Sequence, residues 1–242
     1  MFQNIIMLIE KYWRVFLFEG LRYTLILSAI AVFFGVILGT FIALGRMSNF
    51  KPFKKINKNK NKKGFIHWLA NFNPISWFCS LYTEIIRGTP LLLQLYLFVF
   101  GLPKVIQIDA DYFFWVSLAL ACNSAAYVSE LFRSGIQAVD KGQSEAARSL
   151  GMNKSQTMLR VVLPQAVKNI LPAVGNEFVA IIKETSMAST FFVGELMTSY
   201  LKVNGVEYLA LEILIIVGAI YLALTFTLSK LIGKYERRLN SK

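Results

Sequence analysis

"GLRYTLILSAIAVFFGVILGTFIAL" occupies residues 20–44, and its reading decides the fold. Arg22 is the one charged residue in the run. A helix rising about 1.5 Å per residue would cross the roughly 30 Å hydrocarbon core of a bilayer over such a length. Gly35 and Gly39 stand four apart, the GxxxG spacing that lets a second helix come close. Glycine is common in membrane helices, so the pair carries little by itself.

The rest of the chain agrees. Of 242 residues, 55% are hydrophobic and only 17% charged, with a mean hydropathy of +0.51. A soluble domain carries about 25% charge. The net charge of +12 does not point to nucleic acid, because the cations gather in short blocks between apolar runs instead of spreading over one face.

Working outward, residues 1–19 read as a short amphipathic interfacial segment, with Phe2, Ile5, Ile6, Ile9, Tyr12, Trp13 and Phe16 at helical spacing. "MFQNIIMLIEKYW" lacks a basic start and places Glu10 in the apolar stretch, so it does not read as a signal peptide. After the first span, Arg46, Lys51, Lys54, Lys55, Lys58, Lys60, Lys62 and Lys63 precede any acid before Glu84. That block is a solvated topology anchor or a lipid-headgroup contact. Further spans are expected over about 75–102 (interrupted by "EIIRGTP"), 112–132, 170–192 and 208–228, and the tail 236–242 is basic again.

Five spans place all three basic blocks on one face. With cations held inside, the N-terminus is outside and the C-terminus cytoplasmic. The expected fold is an all-α membrane protein of five transmembrane helices, with a polar, helical loop over 134–168 between the third and fourth.

That loop reads as two short helices. Asp140 caps the first with Gln143 three residues on, and Gly151 stops it. Asn153 caps the second with Gln156 three residues on, and Pro164 turns the chain toward the membrane. Ala146, Ala147 and Leu150 share one side of the first helix, the alanines exposed so that a partner can dock closely. An ordinary structured loop is the competing reading.

Cys79 and Cys122 lie in apolar stretches without metal-ligand spacing and read as small buried hydrophobes. His67, beside Trp68, reads as an interfacial residue. No cofactor or metal is expected. Ionisable residues inside spans are costly and mark function. Arg87 and Glu130 read as anchors or inter-helix pairs. Glu177, after Asn176, reads as lining a path or as a carboxylate bonded to a neighbouring helix. Asn123 offers an amide to a substrate.

"EAARSLGMNKSQTMLRVVLPQAV" (145–167) resembles the EAA signature of permease subunits of binding-protein-dependent ABC importers. "EIIRGTPLLLQLYLFVFGLP" (84–103), "AAYVSELFRSGIQAVDKGQSEAA" (125–147) and "LPAVGNEFVAIIKETSMAST" (171–190) resemble the polar amino acid branch. The resemblance covers about 20–235. Only the Lys/Asn-rich stretch 51–63 departs from it, by its length.

The resemblance implies a bacterial inner-membrane permease that pairs with a second, identical or related, permease subunit. An external binding protein supplies the amino acid, and cytoplasmic ATPase subunits dock on the EAA loop. It implies coupling roles for Glu145, Ala146, Ala147 and Gly151, with Gln143 and Leu150 beside them, and a pore or gate role for Lys183, Glu184, Thr185 and Ser186. Consistent with a partner ATPase, the sequence has no G-x-x-x-x-G-K-[ST] phosphate loop. Two readings compete. One is a secondary transporter or channel driven by an ion gradient, against which no inverted repeat is found. The other is an intramembrane enzyme, against which no nucleophile–base pair and no H-E-x-x-H are found.

Overall fold

A computed structural model describes residues 1–48, 50–52 and 71–240. The expectations for Lys54 to Lys63 and for His67 fall outside these residues.

The described residues are helical, with no strand among them. Three helices are long and apolar enough to cross a membrane: α1 (Phe2–Arg46), α4 (Tyr112–Gln137) and α9 (Ala210–Asn240). A fourth crossing is available if α2 (Pro74–Gly88) and α3 (Leu91–Ile106), bent by 109° at their junction, count as one span. The remaining helices are α5 (Lys141–Ser149), α6 (Lys154–Thr157), α7 (Leu163–Glu184) and α8 (Leu196–Glu207). The charges of Lys168, Glu177, Lys183 and Glu184 keep α7 from reading as a lipid-facing span.

The boundary expected at residues 19–20 lies inside one continuous helix. A π turn at Val15–Leu21 carries α1 through it. Gly20 fits this region because a methyl group there would sit 2.5 Å from Ser199 Oγ. The first turns are tied down, with Leu8 and Phe16 buried against Leu196, Val203, Ile213 and Val217. Glu207 accepts from Lys11 at 2.7 Å and from the Tyr12 hydroxyl at 2.6 Å.

α4 is the central helix. Val116, Leu120, Ala125, Ala126 and Val128 have no exposed surface. The glycine pair of α1 is where α4 comes closest: a methyl at Gly35 would meet Ser124 Oγ at 2.5 Å, and one at Gly39 the Ala125 carbonyl at 2.8 Å. Backbone cannot yield as a side chain can, so the GxxxG spacing is a packing requirement here.

The junction of α2 and α3 follows from proline. Pro90 has no N–H with which to continue α2, and it drives Thr89 to φ −118°, ψ 147°. Two expectations about the polar loop change. The second helix is not short, because α6 runs through a π turn at Met158–Val162 into α7. Pro164 therefore makes no turn. It sits in the first turn of α7 just after the π segment, where the ordinary ladder is already interrupted and the missing N–H costs little. The α-helix also stops at Glu184, inside the expected 170–192 span, and continues as a 3₁₀ turn over Thr185–Phe191.

Candidate functional sites: the surface knob and the membrane break

The knob begins at Asp140. Its carboxylate caps α5 as expected, accepting from Gly142 N at 2.6 Å, but the Gln143 side chain gives no reciprocal bond. Gln143 Oε1 instead accepts from Gln165 Nε2 at 3.4 Å, which ties α5 to α7. At the other end Gly151 adopts φ +87°. Its N–H reaches the Arg148 carbonyl at 3.0 Å, and Met152 N–H reaches the Ala147 carbonyl at 3.2 Å. These two bonds make a Schellman motif, which satisfies carbonyls that a helix end would otherwise leave open. Asn153 then starts α6 with a reciprocal capping box. Gln156 N donates to Asn153 Oδ1 and Asn153 N to Gln156 Oε1, each at 2.9 Å.

The alanines do not behave as a pair. Ala147 is 5% exposed, turned inward as α5 packs on residues 158–162, whereas Ala146 is exposed. Ala147 is thus small so that the knob can close on itself. The residue that projects is Leu150, 85% exposed at the tip. Glu145 is also exposed.

Inside the bundle, Asn123 is buried and donates through Nδ2 to Gln94 Oε1 at 2.9 Å. Gln94 was not singled out in the sequence. Its Nε2 donates to the carbonyls of Ile86 at 2.7 Å and Thr89 at 3.1 Å and to Thr89 Oγ1 at 2.9 Å. Thr89 Oγ1 donates to the Ile85 carbonyl at 2.8 Å. Gln94 therefore stitches the two sides of the break together and joins them to α4. The available signal was "GTP" followed by a lone amide in an apolar run.

The other path candidates lie apart from this cluster. Glu177 and Glu184 stand seven residues apart on α7, hence on one face, and both are partly buried. Lys183 is exposed. Thr185 and Ser186 spend their hydroxyls locally, on the carbonyls of Ile182 at 2.7 Å and Lys183 at 2.6 Å. Of the alternatives for Glu130 and Arg87, the inter-helix pair is the one formed. Glu130 bonds Arg46 at 2.8 Å and Arg133, with Arg87 3.9 Å away. Cys79 and Cys122 are free and only partly buried.

The sequence profile of the inner membrane component of binding-protein-dependent transport systems matches residues 66–241. The chain belongs to this family. It is a transport permease, not an enzyme, and the ion-gradient alternative falls with that assignment. The arginine transport system permease protein ArtQ of Bacillus subtilis is 39% identical over 226 residues, covering 93% of each chain. A putative glutamine transport system permease protein GlnP of Rickettsia bellii is 36% identical over 93% of each. Among solved structures, an amino acid ABC transporter crystallised with histidines matches with TM-score 0.81 and 42% identity, over 94% of this chain and 95% of that one. The permease fold thus extends over almost the whole chain.

Proposed function

We propose that this chain is one of two permease subunits, identical or related, that together carry a polar amino acid across the cytoplasmic membrane of a bacterium. The amino acid arrives from an external binding protein, and ATP hydrolysis by separate subunits drives import. Five crossings, with the N-terminus outside and the C-terminus cytoplasmic, keep every basic block on the inner face. In this reading α7 and its 3₁₀ extension form the fourth crossing, sheltered by its neighbours and by the second subunit. Glu177, Lys183, Glu184, Thr185 and Ser186 then lie along the path or its gate, with Asn123 on the facing helix.

The observation that carries the coupling role is the knob. A short helix outside the apolar spans ends in a closed Schellman turn and holds an apolar leucine out into water. The fold gives Leu150 no apolar cover, and an ATPase groove would. Glu145 and Ala146 flank the contact, Gln143 ties the knob to α7, and Ala147 and Gly151 fix its shape. Because residues 154–184 run on as one helix, force applied to the knob passes directly into the pathway helix.

The test is reconstitution with the cognate ATPase and binding protein in vesicles, and uptake of labelled amino acids, L-arginine and L-glutamine first, with and without ATP. ATP-dependent uptake is expected. Leu150→Asp should insert at normal levels and lose most uptake, because a carboxylate cannot enter an apolar groove. Normal uptake by Leu150→Asp would remove Leu150 from the coupling contact. Uptake that survives without ATP would overturn the reading.

A further inference from the structure

Two separate clusters of buried apolar side chains divide part of the chain into two bodies. One gathers Leu27, Leu95, Trp115, Leu120 and Phe191, from α1, α3, α4 and the 3₁₀ turn that continues α7. The other gathers Leu8, Phe16, Leu196, Ile213 and Val217, from α1, α8 and α9. The chain passes between the bodies in two places, and each passage departs from ordinary helix. In α1 it is the π turn Val15–Leu21. A π turn interrupts the regular ladder and recurs at functional positions. The other passage is residues 192–194, where Phe192 has φ +51° and Gly194 φ +90°. A bulky residue in the left-handed region is held there only by what surrounds it.

On both sides of residues 192–194 the chain is fixed. Before them, the Phe191 ring centre lies 5.2 Å from that of Tyr96 and 5.8 Å from that of Phe100, both on α3. After them, Glu195 is fully buried and accepts from Met197 N and Thr198 N, each at 2.7 Å, and from the Tyr221 hydroxyl of α9 at 3.2 Å. Leu196 N donates to Thr24 Oγ1 at 3.1 Å.

Between the bodies lies a cavity of about 610 Å³. Asp111 and Tyr112 line it from the first body, Glu19 and Lys202 from the second, and Phe192 and Gly194 stand in its wall. Glu19 and Lys202 bond each other at 2.9 Å, which ties α1 to α8. Both passages border this cavity. Its charged walls take water readily, so widening it exposes no dry surface, unlike the parting of an apolar seam. Elsewhere the bodies stay in close contact, since a methyl group added to Gly175 of α7 would sit 3.1 Å from Ile232 of α9. A gap beside two irregular passages, with contact kept elsewhere, is the layout of a hinge.

We infer that the subunit is jointed. The body of α3, α4 and α7 swings against the body of α8, α9 and the start of α1, turning at Val15–Leu21 and at residues 192–194 while Gly175 and Ile232 stay in contact. The cavity widens and narrows with the swing. Because residues 154–184 run on as one helix, a push on the knob moves the first body and leaves the second in place. This rests on the reading of the chain as an ATP-driven permease. It adds that the movement takes place within one subunit, at two named stretches of main chain.

Cysteine pairs across the cavity test it, in a chain whose own free cysteines are replaced by Cys79→Ser and Cys122→Ser. The test pair is Tyr112→Cys with Lys202→Cys, one position from each body, both half-exposed. The reference pair is Glu19→Cys with Lys202→Cys, inside the second body. A short cleavable thiol crosslinker is applied to the permease–ATPase complex in vesicles, once without nucleotide and once trapped with ATP and vanadate. The yield for the test pair should differ at least about twofold between the two states, the sign of a shifted population. The reference yield should not change. Uptake should be lost while the test pair is crosslinked and should return when the linker is cleaved. Equal test yields in the two states, a reference yield that changes as much, or normal uptake by the crosslinked pair would overturn the joint. A second measurement uses the unaltered chain. Amide hydrogen exchange over residues 15–21 and 192–194 should change between the two states more than exchange within α8 and α9, and equal change would also overturn the joint. Absence of ATP-driven uptake by the unaltered complex would overturn the permease reading, whereas the other failures, with that uptake intact, strike the joint alone.

Discussion

Two helix ends in this chain are finished in opposite ways. At Gly151, in water, the Ala147 and Arg148 carbonyls find partners within the chain through two backbone bonds, and a reciprocal capping box follows. At Thr89–Pro90, beside the buried Gln94, the Ile85 and Ile86 carbonyls are taken by Thr89 and Gln94, and no side chain caps the start of α3. An end in water has no need of such completeness, because solvent would serve. An end in a membrane has every need of it. The closed end belongs to the knob, and the other to the bend between α2 and α3.

The sharpest way to break the comparison is Gln94→Leu. It strips the Ile86 and Thr89 carbonyls and the Asn123 amide of their shared partner where water is scarce. The expected cost is about 2–4 kcal/mol, from groups left unsatisfied in a buried setting. It should appear as a clear fall in the apparent melting temperature of the detergent-solubilised permease, together with lost uptake. An unchanged melt would mean that these carbonyls have other partners, and the two ends would then not differ as described.

Gly151→Val comes next. Nothing lies within 4 Å of a methyl group added there, so space is no obstacle; the strain comes from φ +87°. For a β-branched residue that is worth about 1–3 kcal/mol, and relief would tilt the knob. The membrane part should still insert, and uptake should fall. Gly151→Asn should recover most of the loss, since asparagine tolerates the left-handed region. Equal defects in the two variants would point to the side chain and away from the backbone angle.

Much of this was legible before the structure. Local rules placed the stop at Gly151 and the box at Asn153–Gln156, because a positive-φ glycine and a reciprocal cap are decided within a few residues. Ala147 was misread as exposed: which face of a short helix turns inward depends on the segment it packs against, here residues 158–162, and periodicity over nine residues cannot choose. That one helix runs on through residue 20 was not legible, because Lys11 and Glu19 look like breaks in an apolar run. They are answered across space by Glu207 for Lys11 and Lys202 for Glu19, so the helix continues. Gln94 was passed over for the same reason, since its partners stand five, eight and 29 residues away.

The smallest expected effect is the most discriminating control. Asn153→Ala removes one arm of the capping box: Gln156 N loses its acceptor, while the N–H of residue 153 keeps Gln156 Oε1. In a protein interior this would be costly, because a donor would be left unsatisfied. But Asn153 stands at the surface knob, where water takes the freed N–H at once, so the loss should be that of an ordinary N-cap, about 1 kcal/mol or less. The apparent melting temperature should move much less than for Gln94→Leu, and uptake should persist because Gly151 and Leu150 keep the shape and tip of the knob. Should Asn153→Ala destabilise the permease as much as Gln94→Leu does, solvent would not be what separates the two ends.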